Sequence, residues 1–102
     1  MQPKYKRMLK GMLKKEKRPK DIWYVYILLC QDQTFYTGIT KDLDRRLQMH
    51  NNGKASRYTR VRRPVALLYQ EKLKGRARAL SRECAVKALS RKAKEKLIQQ
   101  GA

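Results

Sequence analysis

Between Ile22 and Cys30 the chain carries nine consecutive apolar or aromatic residues, Ile-Trp-Tyr-Val-Tyr-Ile-Leu-Leu-Cys. Laid out as a strand, this run is apolar on both faces and rich in β-formers, so both faces need cover and it belongs at the centre of a sheet. As a helix it falls far short of the roughly 20 residues that cross a bilayer. A chain of 102 residues has room for one core. The remaining elements must therefore organise around this strand.

Gln31 to Thr34 is polar and turns the chain, and Phe35 to Ile39 returns as a second strand of a hairpin. Thr40 is expected to cap a helix from Lys41 to about His50, with Asp42 in its first turn and Leu43 and Leu47 as anchors. Asn51-Asn-Gly53 stops that helix. Lys54 to Arg63 reads as a loop, and Val65 to Tyr69 as a third strand. Gly75 opens a helix expected to turn Ala77, Leu80, Cys84 and Ala88 inward, and Ser90 caps a last helix with Ala93, Leu97 and Ile98 inward. The expected class is α+β, a three-stranded antiparallel sheet flanked by helices in the order (α)ββαβαα.

The bracketed helix belongs to a basic extension, residues 1–21, ahead of a domain at 22–100. Tyr5, Met8, Leu9, Met12 and Leu13 form an apolar stripe at helical spacing, surrounded by lysines and Arg7, and Pro19 ends it. Such a helix suits a duplex, the domain surface or anionic lipid.

Charge narrows the partners. Twenty-seven Lys and Arg against eight Asp and Glu give +19. Self-repulsion of that size is relieved by a polyanion, so nucleic acid is the expected partner, ahead of a membrane surface. The two cysteines supply neither a disulfide framework nor a zinc site, and no apolar secretory segment follows the basic start. A cytoplasmic, nucleoid-associated protein is the expectation.

Three features invite chemistry. Tyr26 and Tyr36 sit on the two arms of the hairpin, and a turn centred on Asp32 places Tyr26 opposite Gly38, with both tyrosines on one face. A glycine there is expected to leave room beside the ring for a phosphate or metal. Arg46 and His50, the only histidine, share a helix face at i, i+4. Arginine offers a planar fork suited to a phosphodiester, while a lone histidine at a helix end also serves as a structural cap. Glu83, one of eight acids, sits at the edge of the expected buried stripe. There it suits one divalent ion, or equally an i, i+4 ion pair with Lys87.

Taken in order, these residues resemble the GIY-YIG nuclease family, in its small single-domain bacterial form. The first signature reads Val25-Tyr26-Ile27 and the second Tyr36-Thr37-Gly38. The stretch from Gly38 to Asn51 resembles the helix that carries the family's arginine and histidine, and Ser56 to Arg60, Arg63 to Val65, Arg82 to Cys84 and Lys87 to Arg91 continue the match. Val25 stands where the first motif carries glycine, and no asparagine follows Asn52 where many members have one.

The resemblance implies a metal-dependent endonuclease cutting nucleic-acid phosphodiesters, DNA before RNA, with low sequence specificity and a place in repair or recombination. It implies Tyr26 as general base on the attacking water and Tyr36 as a contact to that water or the phosphate. Arg46 would stabilise the pentavalent phosphorane, His50 would assist proton transfer, and Glu83 would be the one protein ligand of a single Mg²⁺ or Mn²⁺. Positive charge from Arg46, the metal and the +19 field of the chain is expected to favour the Tyr26 phenolate. Lys54, Arg57, Arg60, Arg62 and Arg63 would hold phosphates, with Gly38 giving access and Tyr58 stacking on a base. The rival reading is a nucleic-acid binding module on the same scaffold without turnover; a ribosomal or nucleoid structural protein comes next. Neither needs Glu83, whose charge repels phosphate unless a cation intervenes.

Overall fold

The computed structural model describes residues 21–101; the basic helix expected over the first twenty residues lies outside them. Strand β1 (Ile22–Leu29) is the centre of a three-stranded antiparallel sheet, with β2 (Phe35–Thr40) on one side and β3 (Ala66–Lys74) on the other. The helices are α1 (Leu43–Asn51), α2 (Arg57–Arg60), α3 (Arg76–Lys87) and α4 (Arg91–Gly101). The class is α+β, as the apolar run requires.

Both faces of β1 are covered. Val25 and Ile27 pack with Tyr69 and Val86, joined by Leu97 and Ile98 from α4. Tyr26 and Leu28 face the other way and pack with Cys30 and Val65, joined by Tyr36 and by Leu43 and Leu47 of α1. The central strand thus divides the protein into two thin cores, one under α3 and α4 and one under α1.

The turn between β1 and β2 is closed by the Cys30 amide donating to the Thr34 carbonyl and the Gln33 amide donating to the Cys30 carbonyl, and the Asp32 carboxylate accepts from the Thr34 amide and hydroxyl. Its length sets the register, which pairs Tyr26 with Gly38 and Leu28 with Tyr36. Side chains of Tyr26 and Tyr36 therefore leave the same face, with ring centroids 6.4 Å apart.

Four local expectations are corrected. Thr40 ends β2, and its hydroxyl takes the Asp42 amide; the helix cap is Asp42, whose carboxylate accepts from the Arg45 amide. Asp is as good a cap as Thr, and residue 40 is already committed to the ladder opposite Tyr24. The segment 54–63 contains the extra helix α2, capped by Ser56 accepting from the Thr59 amide. Strand β3 runs on to Lys74, further than Tyr69, because it pairs with β1 down to Ile22.

The fourth correction matters most. Ala77, Leu80, Cys84 and Ala88 all lie exposed, and the inward face of α3 carries Ala79 and Val86, with Arg82 and Glu83 partly buried. Small Ala79 permits close approach to the sheet, and Arg82 Nε donates to Glu71 of β3 at 2.9 Å, which fixes the helix rotation. Glu83 is consequently turned toward the sheet and is not at the margin of the stripe.

Candidate active site

Tyr26 projects from the buried middle of β1 and is 3% exposed. Opposite it, a Cβ at residue 38 would stand 2.6 Å from the Tyr26 hydroxyl and 2.8 Å from Cζ. The opening expected over Gly38 is therefore filled by the phenol itself. Glycine is needed there so that Tyr26 can lie across the strand, not to admit a ligand.

The phenol ends at His50. The Tyr26 hydroxyl is 2.9 Å from His50 Nε2, and His50 Nδ1 is 2.8 Å from Thr59 Oγ1. His50 is 1% exposed and comes from the last turn of α1, which Leu43 and Leu47 hold against the sheet. Its ring is also edge-on to both Tyr26 and Tyr36, with centroids 5.8 and 5.1 Å away. The helix-cap role considered for this histidine is not its role in the structure. It joins β1 to α2.

Proton affinities here run against the sequence expectation. Burial raises the Tyr26 phenol well above its ordinary value, with the Tyr36 phenol adding to the rise. The Arg46 guanidinium pulls in the expected direction but is outweighed, and Glu83 opposes it. His50 is pushed down to about 4 by burial and by Arg46. The resting pair is therefore a neutral phenol on a neutral imidazole.

Arg46 lies half-buried one turn before His50 and borders a cleft with Trp23, Thr40, Lys41, Asp42, Arg45 and Met49. The Glu83 side chain is 16% exposed, and its Oε2 meets the exposed Lys87 Nζ at 3.4 Å. The ion pair with Lys87 expected from the i, i+4 spacing is thus formed. Among the described residues no cluster of three or more His, Cys, Asp or Glu is present, so a divalent ion at Glu83 would take one hard oxygen ligand from the protein and complete its shell with phosphate and water. A partly buried carboxylate facing the sheet, with its charge felt at Tyr26, fits that requirement.

The basic segment divides in two. Arg62 lies 3.7 Å over the Tyr58 ring, pairs with Asp32 at 2.9 Å and donates to the Tyr58 carbonyl. Arg63 donates to the carbonyls of Arg60 and Asn51. Their forks hold the segment together. The Lys54, Arg57 and Arg60 side chains make no hydrogen bond or ion pair among the described residues and remain the candidates for phosphates. Tyr58 stacks on Tyr36 at 6.1 Å, which extends the aromatic row outward from Tyr26.

Two residues with structural weight at the site were not singled out from sequence. Asn51 clamps the start of β3, its carboxamide accepting from the Val65 amide and donating to the Val65 carbonyl. Thr59 closes the second side of His50. The legible signal for it was Ser56, a good helix cap three residues earlier.

A family model described as the GIY-YIG catalytic domain matches residues 22–96. The chain belongs to the GIY-YIG family. It is 47% identical to a UPF0213 protein of Staphylococcus saprophyticus over 81 residues, 79% of this chain and 99% of that one. A UPF0213 protein of Staphylococcus epidermidis gives the same identity and coverage. Among solved structures, the solution NMR structure of a UPF0213 protein from Bacillus halodurans is similar at TM-score 0.53 and 43% identity, covering 79% of this chain and 87% of that one. A solution NMR structure of a protein from E. faecalis is similar at TM-score 0.56 and 44% identity, covering 81% and 88%. The GIY-YIG family is a nuclease family, and the matched range takes in the sheet, α1, α2, α3 and the first half of α4.

Proposed function

We propose that this protein is a metal-dependent endonuclease that hydrolyses nucleic-acid phosphodiesters, DNA in preference to RNA, with low sequence specificity. The observation that carries this reading is the buried Tyr26–His50 hydrogen bond, 2.9 Å long, beside Arg46 and Glu83. Pure binding has no use for a buried neutral phenol and imidazole within the field of an arginine.

In this scheme Tyr26 removes a proton from the attacking water as its own phenolic proton passes to His50 Nε2. The two transfers run together, so a buried free phenolate never accumulates. Burial first and Arg46 second depress His50; a phosphate paired with Arg46 cancels the second of these and lowers the cost of the transient imidazolium. The Arg46 fork then meets the charge that develops on the pentavalent phosphorane. Tyr36, in the same row, contacts the water or the phosphate. Glu83 would hold one Mg²⁺ or Mn²⁺, which when bound supplies Lewis-acid polarisation of a phosphate oxygen. Lys54, Arg57 and Arg60 hold flanking phosphates, and a role in DNA repair or recombination within the nucleoid suits such an enzyme.

The test is nicking of a supercoiled plasmid and cleavage of branched oligonucleotides with Mg²⁺ or Mn²⁺, with Glu83→Ala in parallel. Metal-dependent products that vanish in the variant support the reading. Tight binding with no products at any metal concentration overturns it in favour of a binding module.

A further inference from the structure

The cleft that Arg46 borders holds about 250 Å³, and the proposed chemistry uses none of its other residues. Trp23 of β1 forms one wall, and Lys41 and Arg45 supply charge from the start of α1. A further cation comes from the first residue of α3. Lys41 Nζ stands 5.7 Å and the Arg76 guanidinium carbon 5.8 Å from the centroid of the indole ring, both within cation–π range. Lys41, Arg45 and Arg76 are all exposed.

Two acids are near, and neither closes the cleft. Asp42 caps α1, its carboxylate accepting from the Arg45 amide at 3.1 Å. Asp21 lies 4.0 Å from Lys41 Nζ with both side chains more than half exposed, a contact of little weight. Lys41, Arg45, Arg46 and Arg76 together outweigh these two carboxylates. Trp23 also carries the one buried side-chain polar atom without a hydrogen-bond partner among the described residues, its indole Nε1. A buried donor left unpaired is uncommon, and an acceptor from outside the chain, a water or a ligand oxygen, is one way to pair it.

We propose that Lys41, Arg45 and Arg76, gathered around Trp23, form a phosphate subsite that holds the nucleic-acid backbone at the opposite end of α1 from α2. The inference rests on the nuclease reading, since Arg46 is the group that such a subsite serves. Lys41 precedes α1, whereas α2 packs on its last turn through the Thr59–His50 bond. Nine helical residues at a rise of 1.5 Å span about 13 Å, room for several phosphates of one strand. A backbone gripped at both ends of α1 lies across Arg46 and is kept from sliding past it.

Trp23 is the only tryptophan, so the emission of the full chain reports this cleft. A duplex oligonucleotide added in EDTA should quench that emission, and inorganic phosphate at the same phosphate concentration should not. Lys41→Ala and Arg76→Ala should each lower the salt slope of log K by about 0.9 while the melting temperature holds. Combined, they should remove most of the quenching and, in cleavage assays, raise KM with kcat unchanged. Lys92→Ala takes the same charge from an exposed position on α4 and should leave the quenching whole.

Unchanged emission at saturating DNA overturns the proposal. So do Lys41→Ala and Arg76→Ala proteins that melt lower yet bind with the wild-type slope, because the two cations then only pack on the indole. Loss of quenching in Lys92→Ala as large as in Lys41→Ala reduces the effect to net charge and overturns it as well. Equal quenching by inorganic phosphate assigns the cleft to a small anion and refutes the backbone role. Metal-dependent cleavage with a silent tryptophan refutes the subsite alone; quenching that depends on Lys41 and Arg76 in a chain that cuts nothing refutes the nuclease reading alone.

Discussion

Gly38 faces Tyr26 directly across the β1–β2 ladder, and the hydroxyl end of that tyrosine occupies the volume a side chain at residue 38 would need. The glycine of one motif is thereby the packing surface for the tyrosine of the other. Gly38→Ala drives a methyl group to within 2.6 Å of the phenol oxygen, so the ring must leave His50. Overpacking of this kind costs about 1–3 kcal/mol. The expected result is a lowered denaturant midpoint together with cleavage lost further than nucleic-acid affinity. Full activity in Gly38→Ala would mean that the Tyr26–His50 contact is dispensable.

Tyr26→Phe keeps the ring over Gly38 and removes only the hydroxyl. It leaves His50 Nε2 buried without a partner, a loss of about 1–3 kcal/mol. As general base, Tyr26 is worth about 10²-fold or more in rate. Single-turnover cleavage should fall by at least that factor while the dissociation constant hardly moves. An unchanged rate in the purified variant assigns any cleavage to another site.

The hairpin was legible because a short turn leaves one register, and the register alone pairs Tyr26 with Gly38. Arg46 and His50 were legible through helical spacing. The second hydrogen-bond partner of His50 was not, since Ser56 signals only the helix that carries Thr59, which reaches the ring across the turn at Gly53 with no periodicity to link the two. Nor was the rotation of α3, where the expected stripe through Ala77, Leu80 and Cys84 is exposed and the Arg82–Glu71 bond lies on the face that carries Ala79 and Val86. The proton affinity of Tyr26 was misread for the same reason. Net charge is a property of the whole chain, whereas desolvation depends on neighbours that only the fold supplies.

His50 makes acid sensitivity testable. Its folded-state value of about 4 lies below its ordinary 6.5, so between those limits the unfolded chain binds a proton that the folded chain refuses. Stability should fall as pH drops from about 6.5 toward 4 and gain nothing further above that window. Asp32, held low by the Thr34 hydroxyl and Arg62, adds its own loss below its ordinary 3.8. Denaturant midpoints at pH 7, 6, 5 and 4.5 should decline, with a shallower decline in His50→Gln. Equal slopes would show that the histidine is hydrated in solution.

The arginines of residues 54–63 should separate into two kinds. Arg57→Ala and Arg60→Ala remove side chains with no internal bonds among the described residues, so stability should stay within about 0.5 kcal/mol. Each lost phosphate contact on a duplex lowers the salt slope of log K by about 0.9. Arg62→Ala breaks the bonds to Asp32 and to the Tyr58 carbonyl and should instead cost on the order of 1 kcal/mol. Salt titrations and melting curves on the same samples distinguish the two. Equal salt slopes for Arg57→Ala and wild type would remove α2 from the interface.

Glu83 carries the sharpest contrast, because its carboxylate meets Lys87 at 3.4 Å and yet faces the sheet. If the ion pair were its whole purpose, Glu83→Ala and Lys87→Ala would behave alike. An i, i+4 pair with an exposed lysine is worth at most about 0.5 kcal/mol, and either loss would leave cleavage intact. If Glu83 holds the divalent ion, the two variants part. Lys87→Ala should cut at the wild-type rate, whereas Glu83→Ala should lose Mg²⁺-dependent cleavage. Removing a negative charge beside the phosphate path should at the same time leave binding in EDTA equal or tighter, the reverse of what a damaged interface shows. Cleavage by Glu83→Ala at the normal rate would refute the metal assignment and leave Glu83 as half of an ion pair.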